Sequence, residues 1–134
     1  ETVKVRVDLR YPDEAILTQM AERFEAAVER SAKLHATPTQ INRTWQADVT
    51  QFDTECIAAV QLAADELGYS NMRMVSGAGH DSLYVSQCVP TSMIFVPCER
   101  GLSHNEAENA NSDDLAAGAN VLLHSLLRMA GRAE

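Results

Sequence analysis

Between Asp13 and Leu34 the positions Leu17, Met20, Phe24, Val28 and Ser31 recur three and four residues apart, with Glu22, Arg23, Glu25, Glu29 and Arg30 between them. That spacing predicts a long amphipathic helix with one wet face. Before it, Thr2–Leu9 alternates Val3, Val5, Val7 and Leu9 with Lys4, Arg6 and Asp8, the period of a half-buried strand. Tyr11-Pro12-Asp13 ends that strand, because proline fixes φ and has no N–H for a ladder. Asp13 and Glu14 suit the first turn of the helix. Thr37-Pro38 stops it, and Thr39–Val49, with the single Trp45, reads as a second strand. A helix set between two strands is a β-α-β unit, and its crossover is right-handed if the strands are parallel.

The pattern resets near Asp48–Phe52. Asp53 is placed to cap a second helix carrying Ile57, Val60, Ala64 and Leu67 and ending at Gly68. A glycine-rich turn, Ser76-Gly77-Ala78-Gly79-His80-Asp81, leads into a brief helix over Asp81–Gln87. A buried strand is expected at Ser92–Val96, closed by Pro97, followed by a polar loop from Cys98 to Asn111. Ser112-Asp113-Asp114 then caps a final helix that is apolar nearly all round, which predicts packing on both sides. The fold class is therefore α/β, in two unlike segments with a break near residue 48, and such a chain reads as part of something larger.

Composition narrows the function. Of 134 residues, 46% are hydrophobic and 22% charged, as in globular proteins, and the net charge is −8. The 11 basic residues are scattered, which argues against a nucleic-acid surface. No apolar run is long enough for a membrane span, and the first residues lack the build of a signal peptide. Cys56, Cys88 and Cys98 are odd in number and form no CxxC pair, so reduced thiols in a cytoplasm are expected.

The residues that read as chemistry lie between Met74 and Glu108. His104 follows the predicted buried strand, within GLSHNEAE. A neutral imidazole is a common metal ligand, and Glu106 and Glu108 can orient one from behind. One histidine is not a metal site, however, and spacing alone equally fits an ordinary loop histidine. His80 opens a helix, where its ring can donate to an anion or an oxyanion; a histidine capping its own turn is the bland alternative. Arg10 ends the first strand, where a guanidinium can clamp a carboxylate or simply pair with a neighbour.

Four segments in order, VDLRYPD, SGAGHD, VPTSMIFVPCERGLSHNEAE and DDLAAGANVLLHSLL, resemble the C-terminal part of one family of metal-dependent amidohydrolases. It includes allantoate amidohydrolase, N-carbamoyl-L-amino acid hydrolase and β-ureidopropionase, in the aminoacylase/carboxypeptidase clan. The resemblance implies that residues 1–47 are the last β-α-β unit of an α/β lid domain that carries dimer contacts. Residues 48–134 would be the C-terminal α/β part of the zinc-hydrolase catalytic domain. It implies that His104 binds one of two divalent metal ions (zinc, manganese, cobalt or nickel), and that Arg10 and Gly79 hold the substrate carboxylate. His80 would contact substrate and stabilise the transition state, with Asp81 and Glu108 in supporting positions.

Within the resemblance, Cys98 stands where a serine is usual and Glu106 where a proline is usual. The remaining metal ligands and the general base have no counterpart among these residues, so the chain by itself is expected to be inactive and to bind no metal tightly. In the complete enzyme the implied reaction is hydrolysis of the linear amide or ureido bond of a small carboxylate-bearing acid. Two alternatives stay open: a peptidase or aminoacylase of the same clan, and a non-catalytic α/β interaction module.

Overall fold

The computed structural model describes residues 2–131. Among the described residues four helices are formed: α1 at Glu14–Leu34, α2 at Thr54–Glu66, α3 at Ser82–Val85 and α4 at Ser112–Ala130. Glu99–Gly101 adds a single 3₁₀ turn. The chain divides into two compact units, one of residues 2–50 with 75–78 and one of residues 51–74 with 79–131.

In the first unit α1 begins at Asp13, whose carboxylate accepts the Ile16 N–H at 3.0 Å. The helix closes in a Schellman arrangement: Thr37 N–H donates to Ala32 O at 3.0 Å and Ala36 N–H to Lys33 O at 3.4 Å. The residue that turns the chain there is Ala36, at φ 50, where glycine is usual. Leu17, Met20, Phe24 and Val28 are half-buried as the periodicity predicts, but the stripe continues through Ala32, and Ser31 is exposed. Residues 39–49 lie along α1, fixed by Arg43 to Glu25 at 2.9 Å and by the Val49 N–H to Glu14 Oε2 at 2.8 Å.

The second unit is built on α2 and α4, which pack against each other. Asp53 caps α2 by accepting the Cys56 N–H at 2.8 Å. That bond holds the Asp53 carboxyl below its ordinary value, while desolvation and then the contact with Asp53 push the Cys56 thiol up. Gly68, at φ 73, lets Tyr69 N–H return to Ala64 O at 2.9 Å and end the helix. Small residues set the approach: Ala59, Ala63 and Ala64 are buried on α2, and Val121 and Ser125 on α4. Val60, Leu67, Tyr69 and Ile94 close around Ala63, Ala64 and Val121. At Gly118 a Cβ would stand 2.6 Å from Val96 Cγ1, so glycine makes room for the 92–96 segment. Arg128 Nη2 reaches both carboxylate oxygens of Glu66 at 2.5 Å, and Asn120 donates to the Tyr69 hydroxyl at 3.2 Å.

Three expectations change. First, the described residues contain no hydrogen-bonded strand, so Thr2–Leu9, Thr39–Val49 and Ser92–Val96 are not ladder strands. Alternation marks the face a strand would bury, whereas a ladder needs a neighbouring backbone at about 4.8 Å. Val3 and Val5 are accordingly 84% and 75% exposed. Second, α4 is covered on one face rather than both: Leu115, Leu122, Leu123, Leu126 and Leu127 are exposed. Third, the cap of α4 is Asn111, which accepts the Asp114 N–H at 2.8 Å, one residue before the predicted Ser112.

Candidate functional site

Arg10 lies where the first extended segment runs toward Pro12. Its Nε–H donates to Asp8 Oδ1 and Oδ2 at 3.0 and 3.1 Å, and its Nη2 to Asp8 Oδ2 at 2.5 Å. Nη1 donates to the carbonyl of Gly77. The hydrogen bond from Arg10 holds the Asp8 carboxyl below its ordinary value, and the same bond raises that of Arg10. Each terminal nitrogen of a guanidinium carries a second N–H. One N–H on Nη1 and one on Nη2 therefore stay open to a ligand.

His80 precedes α3. The Ser82 backbone N–H donates to its Nδ1 at 3.1 Å, with the Ser82 hydroxyl 2.8 Å from the same atom. An Nδ1 that accepts leaves the proton of the neutral ring on Nε2, facing away from the turn. The ring thus caps its own turn and keeps a donor for a partner; the two readings of the sequence are compatible. Asp81 contributes its carbonyl, which accepts Tyr84 and Val85 N–H at 2.9 and 3.1 Å, while Ser82 is the ring's partner. Ser82 is buried, and sequence reasoning missed it although a serine two residues after a histidine at a helix start is a recognisable cap. At Gly79 an added Cβ would meet nothing within 4 Å, so packing within the chain gives no reason for glycine there.

His104 sits on a loop tied at its neck by Glu99 N–H to Asn109 O at 2.6 Å and by Asn109 Nδ2 to Glu99 at 3.2 Å. The side chain is exposed and its backbone takes φ 56. Glu108 braces the loop. Oε2 accepts the His104 backbone N–H at 2.7 Å, and Oε1 lies 3.8 Å from the Cys98 thiol. Asn105 adds an Asx turn, its Oδ1 accepting the Ala107 N–H at 2.9 Å. Glu106 makes no hydrogen bond of this kind to the loop, so Glu108 is the supporting carboxylate. No group of three or more His, Cys, Asp or Glu among the described residues is placed to hold a metal ion. His104 can supply one ligand, and these residues alone do not make up a metal centre.

The profile of Peptidase family M20/M25/M40 matches residues 5–128. The chain belongs to the M20/M25/M40 family. It is 43% identical over 124 residues to the N-carbamoyl-L-amino-acid amidohydrolase of Rhizobium meliloti, covering 92% of this chain and 30% of that protein. It is 30% identical over 124 residues to the allantoate amidohydrolase of Escherichia coli strain K12, again covering 92% and 30%. A crystal structure of an amidase of the hydantoinase/carbamoylase family from Burkholderia multivorans superposes with a TM-score of 0.84 at 44% identity, covering 88% of this chain and 29% of that one. The chain thus spans less than a third of the length of these M20/M25/M40 relatives. No helix of the described residues is long and apolar enough to cross a membrane.

Proposed function

We propose that this chain is the C-terminal part of a metal-dependent amidohydrolase that cleaves the linear amide or ureido C–N bond of an N-carbamoyl amino acid, allantoate or a similar ureido acid. The observation that carries the reading is the 43% identity to an N-carbamoyl-L-amino-acid amidohydrolase over 92% of the chain. Residues 1–47 would belong to a lid that carries homodimer contacts and residues 48–134 to the catalytic domain, in a cytoplasmic enzyme.

The roles are those the family resemblance implies, and the local geometry is compatible with each. Arg10 binds the substrate carboxylate through the N–H groups that Asp8 and Gly77 leave open, a pairing whose directionality aids orientation at the scissile bond. Gly79 lets the backbone approach the ligand without a side chain in the way, as its open surroundings permit. His80 presents Nε2–H to the oxygen that gains charge as the carbonyl is attacked. His104 provides one ligand to one of two divalent cations, whose other ligands lie outside this chain, and Glu108 supports it through the backbone.

The test uses the full-length enzyme. His104→Ala should lower the metal content measured by elemental analysis and abolish turnover of N-carbamoyl amino acids. Unchanged metal content would remove His104 from the site. The family description also covers peptidases, so an N-acyl amino acid turned over faster than its N-carbamoyl counterpart would move the enzyme to the peptidase and aminoacylase branch.

A further inference from the structure

The contacts of Arg10 have a consequence for how a carboxylate can reach it. Asp8 occupies the edge formed by Nε and Nη2 with both of its oxygens, in the bidentate fork geometry that a substrate carboxylate would otherwise prefer. The Gly77 carbonyl takes one further N–H, on Nη1. What remains is one N–H on each of the terminal nitrogens. We propose that Asp8 is a positioning residue for the substrate: it closes the side edge of Arg10 and directs an incoming carboxylate onto the N–H groups left on Nη1 and Nη2. This rests on the reading of Arg10 as the carboxylate-binding residue.

Two features separate this pair from an ordinary surface ion pair, which contributes little to stability. The arginine is held at three of its nitrogens, and one of the anchors is a backbone carbonyl 67 residues away in sequence. Such a guanidinium has lost the freedom of its long stem before any ligand arrives, so less ordering remains to be done on binding. The pair is also formally neutral. A carboxylate is then held by directed hydrogen bonds rather than by an uncompensated positive charge, which selects for the planar, two-oxygen group over other anions.

The experiment compares Asp8→Ala, Asp8→Asn, Arg10→Ala and Asp8→Ala/Arg10→Ala in the full-length enzyme, with an N-carbamoyl amino acid and its carboxamide analogue as substrates. Asp8→Ala and Asp8→Asn should raise KM for the carboxylate substrate about tenfold, with kcat little changed, and leave KM for the carboxamide unaltered. In the Arg10→Ala background the loss of Asp8 should add nothing. A readout without substrate is the Arg10 Nε–H resonance in ¹⁵N-edited NMR, which should be shifted downfield and protected from exchange in the parent protein and not in Asp8→Ala. If Arg10→Ala raises KM while Asp8→Ala does not, the positioning role is overturned and the arginine assignment survives. If Arg10→Ala leaves KM unchanged, the assignment of Arg10 itself falls, and the positioning role with it.

Discussion

His104 donates its backbone N–H to Glu108 Oε2 at 2.7 Å while sitting at φ 56, in the left-handed region that residues with a Cβ rarely occupy. The conformation costs about 1–2 kcal/mol at a non-glycine residue, and the carboxylate that reaches back four positions offsets it. Replacing Glu108 with alanine should free the loop. Arg100, exposed and also at φ 56 within the same loop, provides the readout: limited trypsin digestion should cut after it several-fold faster in Glu108→Ala. Glu108→Gln keeps an acceptor and should digest at the parent rate. Equal rates for the alanine variant and the parent would show that the brace does not hold the loop.

Ala36 occupies the position after α1 where glycine is favoured, at φ 50. Ala36→Gly removes the Cβ conflict at some cost in unfolded-state entropy, and should stabilise the chain by about 0.5–1 kcal/mol. The midpoint of urea denaturation should rise with no change in its slope.

Gly118 should tolerate no Cβ. Alanine gains up to about 1 kcal/mol in helix propensity, but it would stand 2.6 Å from Val96 Cγ1, and overpacking of that kind costs about 1–3 kcal/mol. A net loss of stability is expected for Gly118→Ala. Adding Val96→Ala should recover part of it, whereas full additivity of the two losses would place the clash elsewhere.

Asp53 has a pH signature. Its carboxyl is held below the ordinary value mainly by the Cys56 N–H at the start of α2. A carboxyl depressed in the folded state contributes stability that is fully present above the unfolded value, near 4, and is lost as pH falls through the folded value. Stability should therefore decline from about pH 4 downward, and Asp53→Asn, which keeps a capping oxygen but no titration, should flatten that decline. A parent and variant with the same pH profile would show that this group does not set it.

The sequence made the helices legible because their signals are local. Asp53 and Gly68 bound α2 where the cap and the glycine predict, and the three-and-four spacing of Leu17 to Val28 finds the covered face of α1. Ladder strands are different: Val3, Val5 and Val7 alternate correctly, yet pairing depends on backbone elsewhere, which a period-2 pattern does not specify. The same limit applies to α4, whose leucines announce burial without saying by what. At the site, motif wording singled out Arg10, His80 and His104. Their supports were harder to see. Ser82 for His80 and Asp8 for Arg10 are each two residues away, but such contacts depend on the turn the backbone takes. Asn111 is hard to single out as the cap because three acceptable capping residues follow it.

The first turn of α2 also sets one of the three thiols of the chain apart. Cys56 sits there half-buried, its thiol pushed up by desolvation and by Asp53, while Cys88 is exposed. Thiolates react far faster than thiols, so an alkylating reagent should label the exposed Cys88 sooner than Cys56. The ratio of the two rates would report how far the capped turn withholds its thiol from reagent, with no denaturant added.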